Sequence, residues 1–104
     1  MSGVSTHVLD TSTGRPATGV AVRLERDGHQ VAAGRTDADG RWTALDGDAT
    51  PAGAYRLLFA TGEYFSGGSF HPQVVIDFTV HRPAEHHHVP LLLSPYGYTT
   101  YRGS

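Results

Sequence analysis

The sequence predicts an all-β fold, namely a two-sheet antiparallel sandwich of seven to eight strands with one short helix. Apolar residues recur at every second position over short stretches, which is the period of a strand with one buried face. Turn-forming residues, among them 13 Gly and 6 Pro, separate these stretches, and one short segment alone carries helix signals. The 104 residues suffice for a single domain, assigned to residues 1–104.

The N-terminal half supplies four strands. Val4 and Val8 share one face of the first strand, and Val22 lies on the inward face of the second. Asp27 and Gly28 predict a tight hairpin between the second and third strands, because both residues tolerate a positive φ. The strands of this half are residues 4–9, 20–26, 29–36 and 41–43, with a loop over 10–19 and a turn over 37–40.

The C-terminal half supplies four more strands and the helix candidate. Thr61 is the predicted N-cap and Gly67 the predicted C-cap of a helix within residues 61–68. Pro95 and Gly97 occupy the second and fourth positions of a predicted type I turn over 94–97. The strands of this half are residues 54–60, 73–81, 86–93 and 98–102, after a polar loop over 46–53.

Composition excludes several kinds of partner. The formal net charge of −2 offers no basic surface for nucleic acid, and the absence of Cys excludes disulfides and thiolate metal sites. No apolar run approaches the roughly 20 residues of a membrane helix, and residues 1–9 lack the pattern of a signal peptide. We therefore expect a cytoplasmic protein without nucleic-acid or membrane partners.

The predicted strand 86–93 has an outer face that is half apolar and yet carries His88. The strand 4–9 repeats this arrangement with His7. If the first and last strands share a sheet, its outer face shows His7, Leu9, His88, Pro90, Leu92 and Tyr101. An apolar outer patch is typical of an interface. We therefore predict a homo-oligomer whose functional site lies where subunits meet.

Seven His residues raise the alternative of a metal site. His86 and His88 point the same way from one strand, and three histidines would form a plausible zinc set. No third ligand stands at a fixed spacing, so we predict neither a metal nor a cofactor. His29, His81 and His87 are interpreted as surface or satisfied structural residues, since a lone strand histidine more often has that role.

Three parts of the sequence resemble motifs of the transthyretin-like family. STHVLD (5–10) with GRPA (14–17) resembles the opening motif of that family, and TDADGR (36–41) resembles its second motif. HVPLLLSPYGY (88–98) and the terminal YRGS (101–104) resemble the ending of the enzymatic branch, the 5-hydroxyisourate hydrolases. The hormone-carrier branch lacks this terminal tetrapeptide, so the resemblance favours the enzymatic branch.

The resemblance implies a homotetramer with active sites at the dimer–dimer interface. It also implies hydrolysis of the small molecule 5-hydroxyisourate to 2-oxo-4-hydroxy-4-carboxy-5-ureidoimidazoline in urate degradation. By position, it implies that His7, Arg41 and His88 are catalytic and that His7, Arg41 and Tyr101 bind substrate. His87 stands where an aromatic residue is expected and points away from His88 by alternation.

We expect water to attack the substrate, with a neutral imidazole as base and Arg41 stabilising the oxyanion. Whether His7 or His88 is the base stays open at this point. The alternative function is that of a non-catalytic small-molecule carrier of the transthyretin type. The joint presence of His7, Arg41 and His88 favours the enzyme, because the resemblance places other residue types at these positions in carriers.

Overall fold

The computed structural model describes residues 2–47 and 50–104, so part of the predicted loop over 46–53 lies outside the described residues. The described chain forms two sheets with one short helix, which confirms the predicted sandwich. The elements are β1 Gly3–Asp10, β2 Arg15–Pro16, β3 Ala21–Arg26, β4 His29–Arg35, β5 Arg41–Asp46, β6 Gly53–Phe59, α1 Thr61–Tyr64, β7 Val74–Val80, β8 His86–Ser94 and β9 Gly97–Thr100.

The strands are divided between a four-stranded and a five-stranded sheet. One sheet has the order β4-β3-β6-β7, with antiparallel pairing throughout. In the other, β1 lies between β8 on one side and β5 and β2 on the other, and β9 follows β8. The pairing of β1 with β8 is parallel, so the prediction of a wholly antiparallel sandwich is wrong for this pair.

The predicted loop over 10–19 and the predicted helix differ in detail from the structure. The predicted loop over 10–19 contains the two-residue strand β2, which pairs with the end of β1. The helix covers only Thr61–Tyr64, and Thr61 is not its N-cap, because its hydroxyl donates to the carbonyl oxygen of His71 at 2.7 Å instead. Phe65 rather than Gly67 is the C-cap. No helix of the described chain is long and apolar enough to cross a membrane.

The core lies between the sheets and uses the inward faces that alternation predicted. Val4 and Val8 of β1 are fully buried, and Leu24 of β3 faces them from the other sheet. Leu91 and Leu93 of β8 are equally buried. Burying one such side chain stabilises the fold by about 1.5–3 kcal/mol. The consequence for the site is that the alternate residues of β1 and β8 are held firmly on the outer face.

Candidate active site

Three predicted site residues lie on the outer face of the sheet that contains β1. His7 of β1 is the antiparallel register partner of Arg41 at the start of β5, which places their Cβ atoms about 5 Å apart. On the other side of β1, His88 of β8 is the partner of Ser5. His88 is therefore two residues along from His7 on the neighbouring strand, a Cα separation of about 8 Å.

The turn before β5 fixes the position of Arg41. The Asp37 carboxylate accepts the backbone N–H groups of Asp39 at 2.9 Å and of Arg41 at 3.0 Å. The N–H of Arg41 holds the pKa of the Asp37 carboxyl below its usual value. Gly40 has a φ of 74°, and a Cβ there would lie 2.5 Å from the Val8 carbonyl oxygen. Only glycine therefore lets this turn approach β1 closely enough to place Arg41 beside His7.

His88 has the electrostatics of a neutral base. Its side chain is partly buried, and burial lowers the pKa of the imidazole because the charged form loses hydration. Electrostatic effects of His86, Arg41 and His7 lower it further. The neutral imidazole, which can accept a proton, is therefore favoured at pH 7.

Two further residues, Ser5 and His86, belong to the same face. The Ser5 hydroxyl lies 2.7 Å from Nε2 of His86 and 2.9 Å from Nδ1 of His88. The other ring nitrogen of His86, Nδ1, lies 3.4 Å from the carbonyl oxygen of Ser2. Alternation placed Ser5 beside His7, yet nothing in the sequence signalled its contact with His88, since that contact depends on the β1–β8 register.

The terminal segment packs directly on His88. The N–H of Gly103 donates to the His88 carbonyl oxygen at 2.8 Å. A Cβ on Gly103 would lie 2.7 Å from His88 Cδ2 and 3.0 Å from Pro90 Cγ. Pro90 is consequently buried within the single chain, so it does not belong to an exposed apolar patch as the sequence predicted.

Tyr101 lies outside the strand that was predicted to carry it. The last strand ends at Thr100 rather than at residue 102, and the Tyr101 side chain is 56% exposed. Together with His87, His88 and Phe78, it lines a pocket of about 270 Å³. Its role as a substrate-binding residue stays a prediction.

His87 is buried rather than at the surface, so that part of its interpretation from the sequence is wrong. It is 6% exposed, and its Nδ1 has no hydrogen-bond partner among the described residues. Burial lowers its pKa, and the charge of Arg102 adds to this effect. It does point away from His88, because it lies on the inner face of β8. Across the described chain, no three His, Asp or Glu side chains form a group that could hold a metal ion.

A polar pair, the buried Asp10 and the partly buried Tyr64, joins the end of β1 to α1. The Tyr64 hydroxyl donates to Asp10 Oδ2 at 2.8 Å, and Asp10 is only 3% exposed. Burial and the Asp10 carboxylate raise the pKa of Tyr64 to about 12. Burial alone would raise the pKa of Asp10, but hydrogen bonds from Ser12 and Tyr64 leave it below its usual value. The pair anchors β1, the central strand of the site.

The site combines imidazoles with one guanidinium, that of Arg41. An imidazole can take a proton from water, and a guanidinium can bind a planar oxyanion through its fork of N–H groups. Arg41 is exposed and His7 and His88 are only partly buried, so this face is open to solvent in a single chain. The arrangement suits hydrolysis of a small, planar, polar ring.

Comparison with known proteins agrees with this chemistry. A sequence profile described as the HIUase/Transthyretin family matches residues 4–103. A relative from Caulobacter vibrioides, named 5-hydroxyisourate hydrolase, is 50% identical over the full length of both chains. The solved structure of Klebsiella pneumoniae 5-hydroxyisourate hydrolase is 43% identical, with a TM-score of 0.91 over 100% of both chains. Transthyretin from Sparus aurata is 34% identical, with a TM-score of 0.89 over 99% of this chain and 97% of its own.

Proposed function

Because the chain belongs to the HIUase/Transthyretin family, we propose that it hydrolyses 5-hydroxyisourate to 2-oxo-4-hydroxy-4-carboxy-5-ureidoimidazoline. The observation that carries the proposal is the placement of His7, Arg41 and His88 on one sheet face, with His7 and Arg41 in direct register. Relatives that bear the hydrolase name over their full length support it.

The reaction opens a ring at an acyl C–N bond. A neutral imidazole takes a proton from water while the water oxygen bonds to the carbonyl carbon, and negative charge develops on the carbonyl oxygen. This addition gives a tetrahedral intermediate. When the intermediate collapses, the C–N bond breaks and the imidazolium returns the proton to the leaving nitrogen. A positioned acid–base group of this kind contributes about 10²–10⁴ to the rate.

Arg41 stabilises the developing negative charge. A guanidinium is a cation with a planar fork of donors, and its place beside His7 lets Arg41 meet the oxygen on which charge develops. An interaction that strengthens as that charge grows lowers the barrier rather than only tightening binding. Tyr101 is proposed to bind substrate from the terminal segment, which packs on His88 through Gly103.

The active form is proposed to be a homotetramer with its sites at the dimer–dimer interface. The openness of the His7–Arg41 face in one chain supports this, since a second chain would supply the missing wall. Excluding water in this way would strengthen the contacts between Arg41 and substrate. A cytoplasmic location stays the sequence's prediction.

The second candidate function is that of a small-molecule carrier, which the likeness to Sparus aurata transthyretin favours. An assay separates the two functions. Freshly made product of urate oxidation is mixed with the protein, and the decay of its ultraviolet absorbance is followed. We expect the wild type and the His29→Ala control, altered on β4 of the other sheet, to accelerate decay equally, and His88→Ala to lose the acceleration. Binding without accelerated decay in the wild type would overturn the hydrolase and leave the carrier.

A further inference from the structure

The Ser5 hydroxyl is shared between two imidazole rings. It lies 2.7 Å from Nε2 of His86 and 2.9 Å from Nδ1 of His88. A hydroxyl carries one proton, so it can donate to one of the rings and must accept an N–H from the other. The two directions give His88 opposite tautomers. Donation from Ser5 to His88 would place the His88 proton on Nε2, whereas acceptance from His88 leaves Nε2 bare.

The carbonyl of Ser2 selects one of these directions. A carbonyl oxygen only accepts, and it lies 3.4 Å from Nδ1 of His86. His86 therefore presents its N–H at Nδ1, and in a neutral ring Nε2 is then an acceptor. Ser5 donates to that Nε2, and its oxygen is left to accept the Nδ1–H of His88. If Ser5 instead accepted from Nε2 of His86, Nδ1 of a neutral His86 would carry no proton. Its lone pair would then face a lone pair of the Ser2 carbonyl oxygen.

We propose that Ser5 and His86 are positioning residues that fix His88 in its Nδ1–H tautomer and so make its Nε2 the general base. The inference rests on the proposed function and decides which imidazole takes the proton from water. When Nε2 receives that proton, the Nδ1–H stays bonded to Ser5. The ring orientation therefore holds through the reaction, which is the role that a carboxylate has in the Ser-His-Asp triad.

The surroundings of His88 explain why a hydroxyl has this role. The described groups that act electrostatically on His88 are two imidazoles and a guanidinium, with no carboxylate among them: His7 from β1, Arg41 from β5 and His86 from β8 itself. The terminal segment contributes the backbone of Gly103. A neutral hydroxyl can orient the ring without raising its basicity as a carboxylate would, so the base stays unprotonated at neutral pH.

Nitrogen NMR of the unliganded wild type tests the tautomer directly. In protein labelled with ¹⁵N at histidine, we expect His88 at neutral pH to show a protonated Nδ1 and a bare Nε2. The reverse pattern would overturn the inference. Because this measurement needs no turnover, it separates failure of the inference from failure of the proposed function.

Substitutions at His86 test the link to catalysis. His86→Leu removes the acceptor, so we expect the His88 proton to move to Nε2. We also expect kcat to fall about 10- to 100-fold, the loss typical when an orienting partner of a histidine is removed, with little change in KM. His86→Gln keeps an acceptor near the Nε2 position, so it should retain most of kcat. The exposed His29 on β4 provides the control His29→Leu, which should change neither property.

Ser5→Ala provides the second variant and should lower kcat in the same way as His86→Leu. The inference is overturned if both variants leave the His88 tautomer and kcat unchanged. It is also overturned if His86→Gln loses as much kcat as His86→Leu, because the side chain would then matter through packing or charge rather than through hydrogen-bond direction.

Discussion

Gly103→Ala tests whether the terminal segment positions the active site. A Cβ at this residue would lie 2.7 Å from His88 Cδ2, whereas ordinary contact begins at 3.4 Å. The backbone or the imidazole must therefore move by about 0.7 Å. A displacement of about 1 Å at a catalytic group can cost roughly 100-fold in rate. We therefore expect kcat to fall about 10- to 100-fold.

The cost to stability should be much smaller than the cost to activity. The segment's hydrogen bond to the His88 carbonyl, 2.8 Å long, contributes about 1 kcal/mol, which corresponds to about 4–8 °C in Tm. The protein thus remains folded at 25 °C, and the loss of turnover can be assigned to the site.

The assay is the decay of 5-hydroxyisourate absorbance, with Tm measured on the same samples by circular dichroism. Gly67→Ala is the matched control, since a Cβ there meets no atom within 4 Å, and it should leave kcat unchanged. Wild-type kcat and KM in Gly103→Ala would contradict a positioning role for the terminal segment, because the segment would then tolerate displacement without any effect on the site.

Two further predictions concern the sheet face that carries His7 and Arg41 and the Asp10–Tyr64 hydrogen bond that anchors β1. His7→Ala and Arg41→Ala should each lower kcat/KM by about 10²–10⁴; a variant with wild-type kcat/KM would remove its residue from the mechanism. Tyr64→Phe removes a hydrogen bond to the buried Asp10 carboxylate, so the free energy of unfolding should fall by about 2 kcal/mol at pH 7. The pKa of Asp10 lies below its usual 3.8 in the folded state, so its stabilisation is complete above that value and is lost as the pH falls through the folded pKa. Urea unfolding should therefore show a smaller difference in the free energy of unfolding between the wild type and Tyr64→Phe at pH 3 than at pH 7. An equal difference at the two pH values would contradict a role for the ionised Asp10 carboxylate.

The sequence was sufficient to predict which face His7 and His88 occupy. Alternation in strand 86–93 places Leu91 and Leu93 in the core and His88 outside, and the structure agrees. His7 follows in the same way from Val4 and Val8. These predictions succeed because successive side chains of a strand point to opposite faces of the sheet, which depends on the local sequence alone. Once apolar residues bury one face, their neighbours in the sequence must lie on the other.

Alternation could not predict which strands become neighbours or in which register. The contact between Ser5 and His88 joins residues 83 positions apart and requires a parallel pairing that no local pattern encodes. Alternation does place His87 on the inner face of β8 with Leu91 and Leu93, and its burial was missed because a lone strand histidine was interpreted as a surface or structural residue. The Asp10–Tyr64 pair depends on where a four-residue helix docks.

The parallel pairing of β1 with β8 has a consequence for how the molecule assembles. Almost the whole chain must be synthesised before residues 86–93 can reach their partner strand, so a ribosome-bound nascent chain exposes an unpaired edge of β1. Contacts between such distant residues are slow to form, and an exposed strand edge invites pairing with other chains. We therefore expect the sheet β4-β3-β6-β7, whose strands are closer in sequence, to form first and catalytic competence to appear last during refolding.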